Sequence, residues 1–207
     1  MGIYISGHPL DDFKKEMEWF TNANLTQLKD LRSLVNKNLN VAGIVNEILH
    51  LESRNGKGWG RFTLEDFSDQ FEFRIFGEEY LKFKHFISFN QFIRIKINIK
   101  EGWRNQQTGR IGDPRIQFIN FEMLHDTLSK NSKKLTLQLD IRQLESDSIQ
   151  QLKKELNGFK GDKLLFFDVI DPKKQLKLTL ASRKQKVAIS PDLLSLLEEK
   201  RWHYKLN

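Results

Sequence analysis

The chain has no cysteine, which excludes disulfides and thiolate ligands or nucleophiles and fits a reducing cytoplasm. It has little proline, four residues in 207, and no apolar run near the ~20 residues that a membrane-spanning helix needs. Residues 1–9 show no basic stretch ahead of an apolar core, so no secretory leader is expected. The five histidines (His8, His50, His85, His125 and His203) are scattered without metal-ligand spacing, so no metal site is expected. Internal repeats and low-complexity tracts are also lacking.

What remains is an ordinary folded composition, 39% apolar and 29% charged, too apolar for disorder. The length suits one to three modules. Net charge is +7, and its placement is uneven: −1 over residues 1–36, +1 over 37–126 and +7 over 127–207. A basic excess points towards a polyanionic partner, although lysines on a solvated face give the same count.

Hydrophobic spacing divides the chain further. Pro9, Leu10, Phe13, Met17 and Phe20 predict one amphipathic helix, and Leu25, Leu28, Leu31 and Leu34 a second short one. From Asn40 the period changes to two. Strands are predicted over 41–51, 59–65 and 71–76, the first two joined by the glycine-rich hairpin loop 53–58. Residues 78–87 return to helical spacing. Then Ile93, Ile95, Ile97 and Ile99 share one face of a fourth strand, with Arg94, Lys96 and Lys100 on a solvated face opposite. A long loop, 101–113, leads to a fifth strand over 116–124. Three strands, a helix and two strands, with long loops in these places, predict a five-stranded OB-fold β-barrel over 38–126. Residues 1–37 read as a helical segment before it, and 127–133 as a polar linker. Residues 134–207 read as a small β-α-β-β-α domain of α+β type, so the fold class is mixed.

Candidate chemistry is sparse. Asp11-Asp12, Glu78-Glu79 and Glu198-Glu199 are adjacent pairs in predicted helices, whose side chains diverge by about 100° and do not converge on one ion. The Glu145-Ser146-Asp147 run sits at a helix start, where capping explains it. The glycines of 55–60 lack Walker spacing and lead into a strand, not a helix. No catalytic residue is assigned. The informative signal is cations interleaved with aromatics, as in proteins that hold single strands by stacking bases and gripping the backbone. Trp59, Arg61, Arg74 and Phe76 occupy the outward face of strands two and three. Arg54 and Lys57 lie in the first loop, and Trp103, Arg104 and Arg110 in the fourth. Phe76 stays open between core and stacking roles.

These residues also carry a resemblance. Gly2-Ile3-Tyr4-Ile5-Ser6-Gly7-His8-Pro9-Leu10 resembles the G-x-Y-x-S-G-H-P-L segment of bacterial DNA polymerase III alpha subunits. Val41–Val45, Thr63-Leu64-Glu65-Asp66 and Phe71–Phe76 are similar to that family's first OB strand, its T-L-E-D turn and the strand after it. Gly60-Arg61 departs from the small-aromatic pair common there, which shifts the expected stacking residue to Trp59. The resemblance implies the C-terminal part of a much larger polymerase. Palm carboxylates, their Mg2+ and a metal-binding phosphoesterase domain would lie upstream, and no residue here matches them. No cofactor is therefore expected in this segment. The resemblance also implies that the OB domain meets single-stranded template DNA, that the last domain docks the clamp-loader tau subunit among other replisome proteins, and that the location is the bacterial cytoplasm at the nucleoid. Two alternatives stay open: a docking platform without useful DNA binding, and an OB domain of an aminoacyl-tRNA synthetase or helicase.

Overall fold

The computed structural model describes residues 7–104 and 106–207, so Gly2–Ser6 of the first family-like segment lie outside the described residues. The chain divides into two units, residues 1–127 and 128–207.

The first unit is organised by its longest strand. β1 (Asn38–Glu52) is rich in β-branched and apolar residues and serves two partners in turn. Residues 38–44 pair with β4 (Phe92–Lys100), and residues 44–52 with β2 (Gly58–Glu65), the register shifting between Val45 and Glu47. β3 (Gln70–Phe76) adds beyond β2 and β5 (Arg115–Met123) beyond β4, giving an antiparallel sheet of order β3-β2-β1-β4-β5. No ladder joins β3 to β5 among the described residues. Aromatic packing spans that gap instead: Phe73 of β3 and Phe118 of β5 stand 5.9 Å apart between ring centres, with Phe62 against both. The period-two pattern holds, since Phe62, Leu64, Phe73, Ile75 and all four isoleucines of β4 are buried.

Gly43 sits where β1 passes from one partner to the other. A Cβ there would lie 2.2 Å from the Glu65 carbonyl oxygen, so only glycine permits the approach. Helix α2 (Gly77–Phe83) follows β3. Its Tyr80 ring lies against Gly58 and Gly60 of β2, and its hydroxyl meets His50 Nδ1 at 3.0 Å.

The helices before β1 differ from expectation. A 3-10 turn over Pro9–Phe13, capped by the His8 imidazole, breaks at Phe13 before α1 (Lys14–Phe20). Leucine spacing over 25–34 yields 3-10 structure interrupted at Asp30, whose φ and ψ are non-helical. Leu25, Leu28 and Leu34 nonetheless join the core of the sheet. Asp66 ties this segment down, accepting from the Leu25 N–H at 2.8 Å and from Ser68 N–H and Asp69 N–H.

The expected linker over 127–133 is in large part helical: α3 spans Leu124–Asn131. Its polar composition hid an i, i+4 pair of buried leucines, Leu124 and Leu128. The Thr127 hydroxyl also bonds back to the Met123 carbonyl at 3.3 Å.

The second unit is a four-stranded sheet of order β8-β7-β6-β9 with two helices. β6 (Lys134–Asp140) crosses over through α4 (Ser146–Asn157) to the parallel strand β7 (Lys160–Asp171). A hairpin leads to β8 (Leu176–Val187), then α5 (Pro191–Glu199), capped by the Ser190 hydroxyl, returns to β9 (His203–Leu206) beside β6. β8 runs six residues past its expected end at Ala181. Ala181 pairs with Phe166 but Lys186 with Leu164, so Ser182–Gln185 bulge out of the ladder. Among the described residues, no helix is long and apolar enough to cross a membrane.

Candidate nucleic-acid interface

Register sets the outward face of β1, β2 and β3 in rows. Leu51, Trp59 and Phe76 form one row, Leu49, Arg61 and Arg74 the next, and Glu47, Thr63 and Glu72 a third. The sequence-predicted residues of β2 and β3 therefore meet in one patch. The Trp59 and Phe76 rings are stacked, with centres 5.3 Å apart and planes 17° apart. Phe76 is 54% exposed, which assigns it to the surface and not the core.

Arg61 and Arg74 stand directly opposite each other, where like charges repel. Glu72 relieves the repulsion from the neighbouring row. Arg74 Nε donates to its Oε1 at 2.9 Å, and Arg61 Nε lies 3.6 Å from its Oε2. All three side chains are 40% or more exposed, so each pair contributes no more than about 1 kcal/mol. The result is an apolar, two-ring platform beside two fanned guanidiniums on rigid strands.

Arg54 and Lys57 are exposed in the β1–β2 hairpin, which Ser53 closes by exchanging hydrogen bonds with Lys57 and Gly56. Trp103, Arg104 and Arg110 lie on the β4–β5 loop. Within that loop Arg104 bridges to Ile111, and Gly112 N–H donates to the Trp103 carbonyl at 3.0 Å. Sequence reasoning missed Arg115, whose guanidinium carbon lies 3.9 Å over the Trp103 ring. Its place directly after Pro114, at the start of the strand, was the available signal, whereas its position across from Lys100 shows only in the register. Trp103 stays 74% exposed. On β4, Arg94 is not on a solvated face: it is nearly buried, pairs with Glu122 at 2.6 Å and donates to the Phe20 carbonyl.

The adjacent acidic pairs serve local structure. Asp11 accepts from Lys14 and from the His8 N–H, both at 2.8 Å, which hold its carboxyl below the usual range. Glu79 accepts from the Phe118 N–H at 3.2 Å, and burial pushes its carboxyl up. Glu198 accepts from the Tyr204 hydroxyl.

Residues 135–207, most of the second unit, match the family described as "DNA polymerase III alpha subunit, C-terminal domain". Curated proteins named DNA polymerase III subunit alpha match this chain, some of them over stretches longer than either unit. That of Bacillus subtilis is 22% identical over 182 residues, 86% of this chain and 15% of the relative. That of Pseudomonas aeruginosa is 21% identical over 161 residues, 78% of this chain and 13% of the relative. That of Borreliella burgdorferi reaches 30% over 88 residues, 42% of this chain and 8% of the relative.

The chain is related to the DNA polymerase III alpha subunits.

The stretch shared with these alpha subunits is short, between 8% and 15% of their length in the three cases above. Among solved structures, one titled as a putative aspartyl-tRNA synthetase from Leishmania major Friedlin covers 60% of this chain and 22% of its own, at TM-score 0.33 and 9% identity. That likeness is too slight to bear on the fold.

Proposed function

We propose that this chain is a non-catalytic, C-terminal part of a replicative DNA polymerase III alpha subunit. On this reading the first sheet is an OB fold that guides single-stranded template DNA, and the second unit docks the clamp-loader tau subunit. Nucleotidyl transfer, with its Mg2+, then belongs to polymerase segments upstream. The observation that carries the reading is the Trp59–Phe76 stack beside Arg61 and Arg74. Two parallel rings suit two bases, at about 1–3 kcal/mol per stacked base, and the guanidiniums suit the phosphates between them. Arg54, Lys57, Trp103, Arg104 and Arg110 extend the interface through the loops. The docking role draws support from β8, where Leu176, Leu178 and Leu180 are 62%, 59% and 46% exposed. They continue the apolar face formed by Leu137 and Leu139 of β6 and Phe167 and Val169 of β7, beyond the leucines that α4 and α5 bury.

Titrating the whole chain with oligo-dT is expected to quench tryptophan fluorescence, less so as salt rises. Unchanged binding by a Trp59→Ala, Arg61→Ala double variant refutes the template-guide role. For docking, a Leu178→Asp, Leu180→Asp variant is expected to lose capture by tau. Retained capture refutes the assignment to β8.

A further inference from the structure

The bulge in β8 builds a second feature that the reading above does not use. Ser182–Gln185 loop out beside the end of α4 and the start of β7, and together they wall an open cleft of about 540 Å³. Five cations line it: Lys153, Lys160, Arg183, Lys184 and Lys186. None of the five forms an ion pair among the described residues. Of the nearest carboxylates in sequence, Asp162 meets Lys163 at 3.4 Å, and Glu155 accepts from Gln151 at 3.0 Å through Oε1 while its Oε2 is hidden from solvent without a hydrogen-bond partner. Five like charges held together without counter-ions repel and cost the fold stability unless an anion joins them.

The rest of the lining says which anion. Asn157, Ser182 and Gln185 supply short polar groups, and no apolar side chain faces the cleft. Lysine, arginine, serine, asparagine and glutamine are the side chains that grip phosphate oxygens. A protein partner would instead need buried apolar or aromatic anchors. This cleft offers none, whereas the leucine stripe at the other end of β8 does.

We propose that the α4–β7–β8 cleft is a phosphodiester-binding site through which the second unit holds a nucleic-acid backbone without reading bases. It goes beyond the template-guide reading, which gives nucleic acid to the first sheet alone. Five cations on one open wall match a run of successive phosphates better than a single phosphate group.

The test uses the whole chain and fluorescein-labelled oligonucleotides, single-stranded and duplex, followed by anisotropy over a series of salt concentrations. An Arg183→Ala, Lys184→Ala, Lys186→Ala variant, with folding checked by circular dichroism, is expected to bind at least about tenfold more weakly at ~0.1 M salt. Its slope of log K against log salt should fall by about 2–3. Trp59→Ala, Arg61→Ala should leave that lost component in place, so the two sites fail independently. Long-chain polyphosphate should displace the oligonucleotide at far lower charge concentration than polyglutamate. An unchanged slope in the triple variant overturns the proposal. So does equal competition by polyglutamate, which would make the cleft a surface for acidic proteins.

Discussion

Replacing Gly43 by alanine tests how the first sheet is built. The new Cβ would stand 2.2 Å from the Glu65 carbonyl oxygen, 2.9 Å from its carbon and 3.0 Å from Leu64 Cγ. A carbon approaches a carbonyl oxygen comfortably at roughly 3.3 Å, so the β2 backbone must retreat by about 1 Å. The two nearest obstacles are main-chain atoms, which no rotamer change relieves. Overpacking of this kind costs about 1–3 kcal/mol. Two ladder hydrogen bonds weakened near the Ile44–Glu65 pairing add about 0.5–1.5 kcal/mol each. The sum is about 2–6 kcal/mol, or a fall of roughly 8–24 °C in the melting temperature of a unit this size. Urea unfolding followed by tryptophan fluorescence reads it directly, since Trp19, Trp59 and Trp103 lie in the first unit and only Trp202 in the second. Gly56→Ala is the control: it has open space but φ +69, and should lose only about 1 kcal/mol. A Gly43→Ala chain within about 0.5 kcal/mol of the parent refutes the reasoning.

Tyr80→Ala should cost the first unit about 3–5 kcal/mol in the same assay, and Tyr80→Phe, which loses only the bond to His50, about 0.5–1.5 kcal/mol. Glu16 is 2% exposed with one carboxylate oxygen unpartnered, and burial pushes its pKa up. A raised carboxyl pKa favours the fold below the unfolded value and loses that contribution as pH rises through the folded one. Glu16→Gln should therefore raise the melting temperature at pH 7, with the gain vanishing near pH 4. Arg142 pulls the Asp140 carboxyl down to about 2, a contribution present above the unfolded value of 3.8 and lost as pH falls towards 2. Acid titration of Asp140→Asn, followed by circular dichroism, should show a shallower loss of stability across that window.

Most strands were legible because alternation is a local signal. The four isoleucines of β4 and the Phe71–Phe76 run announced their buried face without help from distant residues. Helical stretches were less so. Leu25–Leu34 has helical spacing but no caps, and tertiary bonds such as Leu25 N–H to Asp66 draw it into 3-10 turns. Leu124 and Leu128 were hidden among polar neighbours. The aromatic and cationic residues of the first sheet were legible as types on a face, but not their pairing: Trp59 on Phe76 and Arg61 opposite Arg74 follow from register, which a sequence does not print. The cleft of the second unit stayed invisible because four looped-out residues of β8 make it, and a bulge leaves no periodic trace.

Glu72 also bears on how the first sheet would let go. Any phosphate that approaches Arg61 or Arg74 competes with a carboxylate already beside both guanidiniums. On the template-guide reading, each nucleotide is received as an exchange of one anion for another, and is released the same way when Glu72 swings back. On that same reading the face would act as a bearing over which a strand advances one base at a time, and not as a clamp.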